Sequence, residues 1–203
     1  MRQLLRPAVM IFVLVPAVSA LLHAGVVTYD FEADTGQSTL FTDTVSGLSA
    51  TFSSSGDPGG FSVLATGTFQ SLTGNFLMDL GPSPLVLTIA FSAPLTDISM
   101  NFATSGEGSV NLDAFTGGSG GTLVGSNSAV GSVPPGFALP EGVIGFNGGT
   151  FDTVVLSATT TNFAIDNVGA TDPPPGVPEP GSLLLCAGAL AALSFVQYRR
   201  RNS

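Results

Sequence analysis

The chain of 203 residues has few cations, one cysteine and no tryptophan. Because a single cysteine, Cys186, cannot pair within the chain, a small disulfide-stabilised scaffold is excluded. Nucleic-acid binding needs a basic face, and a formal net charge of -9 gives no such footprint. We therefore predict no nucleic-acid partner.

The cations that do occur are confined to the two ends of the chain. All five are arginines, and no Lys or Arg lies between Arg6 and Arg199. The one histidine is His23. The middle segment, residues 25–170, thus has acids but no Lys, Arg, His or Cys, which excludes Ser–His, Cys–His and His-ligated zinc chemistry there.

Only carboxylate catalysis remains open for the middle segment. Its three glutamates are Glu32, Glu107 and Glu141, which lie far apart in the sequence. A glycoside hydrolase needs two carboxyl groups roughly 5–10 Å apart, usually in an aromatic groove. With no tryptophan, and with Tyr29 as the one tyrosine of this segment, the sequence predicts a protein that is not an enzyme.

The first 24 residues have the pattern of a secretory signal peptide. Arg2 and Arg6 precede the apolar run Val9–Val15, which is too short for a permanent membrane span. Small residues then allow signal peptidase to cleave after Ala20 or after Ala24. The sequence therefore predicts export.

The C-terminal end has a second targeting pattern. Residues 171–176 form a Pro-rich linker, and residues 182–198 are predicted to form a transmembrane helix. Those 17 residues would reach roughly 25 Å as a helix. Arg199, Arg200 and Arg201 would remain cytoplasmic as a stop, because positive flanks stay inside. The acidic domain would then lie on the outer side of the membrane.

Residues 25–170 show an alternation of period two rather than a helical period. Apolar residues alternate with small or polar ones in Leu85–Phe91 and Ile98–Phe102, and many short runs end at Gly, Pro, Asn or Asp. This pattern predicts an all-β fold, an antiparallel β-sandwich or jelly roll. Gly117–Gly142 is the longest irregular stretch, either a mobile loop or one edge strand around Thr122–Val124.

The C-terminal 27 residues, 177–203, resemble the PEP-CTERM sorting signal of bacterial exported proteins. The resemblance rests on Val177, Pro178, Glu179 and Pro180, followed by the apolar segment and the arginine cluster. It implies recognition by an exosortase-type membrane protease and export by bacteria that make exopolysaccharide and biofilm. The helix would anchor the chain transiently, before release to the cell surface or extracellular matrix.

Two short patterns in the domain are similar to galactose-binding-like jelly rolls. One is Tyr29–Glu32 near the start, and the other is Asn162–Val168 at the last strand. The resemblance implies that the first and last strands lie side by side with a structural Ca²⁺ between them. Its ligands would be Glu32 and Asp166, completed by backbone carbonyls, and no other cofactor is implied.

Together these features predict a non-enzymatic exported protein of the surface or extracellular matrix, associated with exopolysaccharide or biofilm. Two alternatives remain open. One is a dedicated carbohydrate-binding module, which would bind one glycan saturably. The other is a β-domain that stays permanently anchored in the membrane without processing.

Overall fold

A computed structural model describes residues 25–55, 59–65 and 67–172. Within these residues the chain forms ten strands and no helix, and thus contains no helix long and apolar enough to cross a membrane. The strands are β1 (Val26–Tyr29), β2 (Phe41–Val45), β3 (Leu48–Ser55), β4 (Phe61–Leu64), β5 (Phe76–Asp79), β6 (Val86–Ala103), β7 (Ser109–Thr116), β8 (Thr122–Val130), β9 (Glu141–Ala158) and β10 (Ala164–Thr171).

The strands form two layers that share their two longest strands. In the first layer the order is β2, β3, the first half of β6, the second half of β9, β7 and β8. In the second layer it is β4, β5, β10, the second half of β6 and the first half of β9, with β1 also paired to β10. The ten strands form one continuous sheet that folds over into these two layers. All pairings are antiparallel, which confirms the predicted all-β antiparallel fold.

β6 and β9 pass from one layer to the other by bending next to each other, near the pair Leu95 and Phe151. The pairing register between them shifts on either side of Leu95. Pro94 precedes this point on β6, and Gly148 and Gly149 on β9 have positive φ angles. Both features interrupt a regular ladder and let the strands turn between layers.

One hydrophobic core fills the space between the layers. Alternate residues of β3 and β7 are buried, as a sheet with one covered face requires. Nine of the thirteen phenylalanines in residues 25–170 are buried, and Tyr29 of β1 donates a hydrogen bond across the layers to the Leu48 carbonyl, at 3.0 Å. Burial raises the pKa of Tyr29 to about 12. Side-chain packing without disulfides thus holds the layers together.

The two ends of the described chain lie side by side. β1 pairs with β10 from Val26 opposite Thr171 to Tyr29 opposite Val168, which confirms that the first and last strands are neighbours. Thr171, the first residue of the predicted linker, is the last residue of β10. The predicted signal peptide, sorting motif, helix 182–198 and arginine cluster lie outside the described residues.

Several strands differ from the prediction. β2 was not predicted, and the stretch 117–142 contains a nine-residue strand, β8, that extends well beyond Thr122–Val124. β6 is one strand of 18 residues, although the sequence predicts two, Leu85–Phe91 and Ile98–Phe102. β9 is also one strand of 18 residues, where the sequence predicts Val143–Asn147 and Phe151–Ala158 as two. The breaks that the sequence shows at Pro94 and at Gly148-Gly149 are the bends between layers.

Candidate functional site

The loop between β4 and β5 is held at one end by a buried glutamate. Glu141, the first residue of β9, is 5% exposed. Its Oε1 accepts a hydrogen bond from the Gln70 N–H at 2.9 Å. Its Oε2 accepts from the Ser71 N–H at 2.7 Å and from the Ser71 hydroxyl at 2.6 Å. These bonds to a charged acceptor fix residues 70 and 71 against the end of the second layer.

Two further acids hold the other end of the same loop. The Oδ2 of Asp166, on β10, accepts from the Thr73 N–H at 3.1 Å. The Oε1 of Glu32, which follows β1, accepts from the Asn75 N–H at 3.0 Å. The structure therefore brings Glu32 and Asp166 to the same loop. Together with Glu141 they form what we call the acid clamp of residues 67–75.

Asp166 has a pKa well above that of an ordinary aspartate. Its side chain is fully buried, and burial raises its pKa to about 6. The N–H groups of Thr73 and Asn167 partly oppose this effect because they bond the ionised form, while the nearby charges of Glu32 and Asp30 raise the pKa further. Asp166 thus titrates in a range where ordinary aspartates are already ionised.

Calcium binding by Glu32 and Asp166 stays a prediction. A calcium shell needs six to eight oxygens, but the Phe31 and Glu32 carbonyls already accept from the Asn75 side-chain amide, at 3.2 and 3.1 Å. The same amide nitrogen donates to the Thr35 hydroxyl at 2.7 Å. Across the described residues no three His, Cys, Asp or Glu side chains group as metal ligands would. A cation that used these two carbonyls would compete with the Asn75 amide for them.

A cavity of about 330 Å³ opens beside the Glu141 end of the acid clamp. Residues 70–71 form one wall, residues 132–135 form the other, and the start of β9 forms the floor. The lining residues are Gln70, Ser71, Ser132, Val133, Pro134, Pro135, Glu141, Gly142 and Val143. An amide, two hydroxyls and a carboxyl thus lie next to exposed aliphatic side chains, a mixture that suits a polar uncharged ligand.

The second wall is built from backbone turns rather than from acids. Ser132 exchanges both of its backbone hydrogen bonds with Glu141, each at 2.9 Å. The Phe137 N–H donates to the Pro134 carbonyl at 3.0 Å, and Gly136 has a φ of 86°. Proline followed by a glycine of positive φ is typical of a type II turn. The tip of this wall is therefore preformed.

The cavity does not have the groups of a glycoside hydrolase. Glu141 is the one carboxyl among its lining residues, and each of its oxygens already accepts N–H groups. Glu107 lies exposed in the turn between β6 and β7. Tyr29 and most phenylalanines are in the core, so the lining offers no aromatic platform on which a sugar ring could stack.

The sequence did not single out the residues that build this cavity. From the sequence Glu141 is a candidate only for carboxylate catalysis, and Gln70 and Ser71 belong to no motif. Glu141 precedes a β-rich run and follows Pro140, but that local signal does not reveal a contact with residues 70 positions earlier. The sorting residues Val177–Pro180 and Arg199–Arg201 lie outside the described residues.

Comparison with known proteins gives structural likenesses only. No protein-family model and no curated protein matches the chain. Its structure is similar to the CBM22-1 xylan-binding domain of Paenibacillus barcinonensis Xyn10C, with 10% identity, a TM-score of 0.42, and coverage of 73% of this chain and 95% of that chain. It is also similar to the family 11 carbohydrate-binding module of Clostridium thermocellum, solved with a β-1,3-1,4-mixed-linked tetrasaccharide, with 14% identity, a TM-score of 0.37, and coverage of 73% and 96%.

A third likeness is to the enzymatically active domain of bacteriophage CBA120 tailspike protein 4, with 13% identity and a TM-score of 0.40. That match covers 60% of this chain but spans only 19% of the tailspike chain. Because identities and TM-scores are low in all three cases, they carry no conclusion about what this chain binds or does.

Proposed function

We propose that the chain is a non-enzymatic exported protein of the cell surface or extracellular matrix, delivered by a signal peptide and sorted by an exosortase-type protease. The segregation of charge supports this proposal. Every cation lies in a terminal segment with an adjacent apolar run, while residues 25–172 carry acids alone. Such a distribution suits a domain transferred across a membrane between two cytoplasmic basic ends.

The intact mass of the protein recovered from its native host tests the sorting proposal. A mass that lacks the signal peptide and everything beyond about Val177–Pro180 is expected in the surface or medium fraction. A mass that retains Arg199–Arg201 would instead favour the permanently anchored β-domain and contradict processing.

A second candidate function, carbohydrate binding, is supported by the cavity beside Glu141. Its amide and hydroxyl groups can hydrogen-bond sugar hydroxyls, and Val133, Pro134 and Val143 give aliphatic contact. Without a stacking aromatic ring we expect binding that is weak, with dissociation constants of about 0.1–1 mM. Exopolysaccharide would be held by many such contacts along one polymer.

Calorimetric titration with xylan and with β-1,3-1,4-glucan oligosaccharides tests this second candidate. Gln70→Ala removes a cavity amide but keeps the backbone N–H that Glu141 binds, so it should weaken binding about tenfold without unfolding the loop. Gln37→Ala, an exposed glutamine elsewhere, is the matched control. Equal weakening by both variants, or saturable binding unaffected by Gln70→Ala, would contradict binding at this cavity.

A further inference from the structure

The chain contains one asparagine that is followed by a glycine, the pair Asn147-Gly148. In such a pair the backbone nitrogen of the glycine can attack the side-chain amide carbon of the asparagine. Glycine favours this attack because it has no side chain in the way and adopts a wide range of backbone angles. In a folded protein the reaction also depends on what surrounds the pair.

The pair lies at the bend where β9 passes from one layer to the other. The register pairs Asp97 with Asn147 and Leu95 with Phe151, so residues 148–150 of β9 bulge opposite one residue of β6. Asn147 and the three bulged residues are all exposed to solvent. The bulge thus takes the glycine of the pair out of the regular pairing with β6.

The space around Gly148 is open. Its φ is 146°, a conformation that residues with a side chain rarely adopt. A Cβ built on Gly148 would have one neighbour within 4 Å, the Cζ atom of Phe146 at 3.8 Å. The fold therefore favours glycine directly after Asn147, and it leaves room for the rotation that brings the two reacting atoms together.

The side chain of Asn147 is directed across the sheet to β6, where its Nδ2 donates to the Oδ2 of Asp97 at 2.8 Å. Ser132 exchanges both backbone hydrogen bonds with Glu141, so Glu141 and every second residue after it, including Asn147, direct their backbone groups away from β6. In such a pair the side chains lie close together. The Asp97 bond is exposed, and it involves the side-chain amide rather than the Gly148 nitrogen.

The other exposed asparagines of the described residues, Asn127 and Asn162, precede Ser128 and Phe163, which have side chains. The Ser128 N–H already donates to the Oδ1 of Asn127 at 2.8 Å, and the Nδ2 of Asn127 donates to the Gly145 carbonyl at 2.7 Å. Asn127 is thus an exposed strand asparagine with a restrained amide, and it serves as an internal control.

We propose that Asn147 is a site of spontaneous deamidation in the folded protein. The Gly148 nitrogen gives its proton to hydroxide and forms a bond with the Cγ of Asn147. The bond from Cγ to Nδ2 breaks, and Nδ2 takes up a proton from water and leaves as ammonia. A second water molecule opens the resulting five-membered succinimide at either carbonyl, which gives aspartate or isoaspartate. Water is the only co-reactant.

The product changes the charge at the bend. A carboxylate at position 147 cannot donate to Asp97, and like charges directly opposite each other in a sheet are destabilising. No Lys or Arg between Arg6 and Arg199 could neutralise the pair. Asp97 also pairs with Thr171, the last residue of β10. Deamidation therefore weakens the point where β6, β9 and β10 meet, and the altered fraction grows with the age of the protein.

Peptide mapping of the folded full-length chain, incubated in detergent at neutral and mildly alkaline pH, tests the proposal. Chymotrypsin cleaves after phenylalanine, so it separates Asn147, after Phe146, from Asn127. We expect the peptide with Asn147 to gain the mass difference between aspartate and asparagine at least about tenfold faster than the peptide with Asn127, because Ser128 has a side chain. The rate should rise with pH. Isoaspartate methyltransferase labelling should disappear in Asn147→Gln but persist in Asn127→Gln.

Three results would overturn the proposal. One is a folded chain in which Asn147 stays intact while the urea-unfolded chain deamidates there, because the fold would then protect the pair. Another is equal modification of Asn127 and Asn147. A third is isoaspartate labelling that persists in Asn147→Gln. The consequence has its own test, which is independent of sorting and sugar binding: Asn147→Asp should lower the urea midpoint more than Asn147→Ala, and equal midpoints would contradict the charge effect.

Discussion

The loops 67–75 and 131–140 each supply one wall of the cavity, through residues 70–71 and residues 132–135, but acids hold the first loop and backbone turns hold the second. In the first wall, Glu141, Asp166 and Glu32 accept four backbone N–H groups. In the second wall, Ser132 pairs with the Glu141 backbone and a Pro-Gly turn forms the tip. Glu141 contacts both walls, through its side chain and its backbone.

The difference shows how a domain without bases uses its acids. Carboxylates usually pair with Lys or Arg when buried, but none is present between Arg6 and Arg199. Here the buried carboxylates accept hydrogen bonds from backbone N–H groups instead. These bonds stabilise the carboxylate charge, and they also pair backbone donors of a loop that has no strand partner. Replacing a single acid should therefore destabilise the first wall. In the second wall, replacing a side chain outside the Pro-Gly turn should have little effect on stability.

Of the substitutions that test this difference between the walls, Glu141→Gln should have the largest effect on stability. A glutamine keeps the shape but replaces one carboxylate oxygen by an NH₂ group, so the buried donors of residues 70 and 71 lose one of their two acceptor atoms and the negative charge. We expect a loss of about 3 kcal/mol in the free energy of unfolding. Urea denaturation measures it, and Glu107→Gln, in an exposed turn, should change stability by less than about 0.5 kcal/mol. A similar small loss for Glu141→Gln would show that the acid does not hold the wall.

Calcium should strengthen the other end of the first wall if Glu32 and Asp166 bind it. A ligand present at about 100 times its dissociation constant adds about 2.7 kcal/mol to stability, so the melting temperature should rise on addition of Ca²⁺ and fall with a chelator. Asp166→Asn should remove the response. A melting temperature that chelator and Ca²⁺ both leave unchanged would exclude the calcium site and leave the acid clamp purely as loop anchors.

Without calcium, the pH dependence of stability should distinguish Asp166 from ordinary acids. Its folded pKa of about 6 lies above the usual 3.8, so the folded state binds the proton more tightly than the unfolded state. The contribution of Asp166 to the free energy of unfolding therefore increases as pH falls from about 6 to about 4, and it is lost as pH rises through about 6.

Urea denaturation of the wild type and Asp166→Asn at several pH values isolates that contribution. The stability of the wild type relative to the variant should increase by about 2 kcal/mol between pH 7 and pH 4.5. The contributions of the other acids cancel in the difference. A difference that is constant with pH would mean that the Asp166 carboxyl is solvated rather than buried.

The sequence predicts the strands well but not the contacts that make the cavity. Alternation in β3 and β7 is a local signal of one buried face, so those strands can be predicted without knowledge of the fold. β8 is rich in Gly, Ser and Asn, and it is a strand because β7 pairs with it. Likewise the role of Glu141 depends on residues 70 positions away, and no local pattern encodes such a contact. Pro94 and Gly148-Gly149 predict turns in the sequence, but in the structure they lie within β6 and β9 and bend strands that continue beyond them.

The smallest expected effects come from one glycine in each wall. Gly74 and Gly136 both have positive φ angles, 71° and 86°. An alanine at either position would adopt the left-handed backbone conformation at a cost of about 1 kcal/mol in stability. At Gly136 nothing lies within 4 Å of the added Cβ, so no further cost is expected. At Gly74 the Cβ would collide with the carboxyl of Glu32, which would have to release the Asn75 N–H.

Gly74→Ala should therefore destabilise the domain by about 1 kcal/mol more than Gly136→Ala, the typical net value of one hydrogen bond. Combining each glycine variant with Glu32→Gln in a double-mutant cycle identifies the cause. The added cost of Gly74→Ala should shrink when Glu32 is already weakened, because both changes act on the same bond. Gly136→Ala should show no coupling to Glu32→Gln. Additive behaviour of both pairs would mean that Glu32 moves aside without loss, and that Asp166 and Glu141 alone hold the first wall.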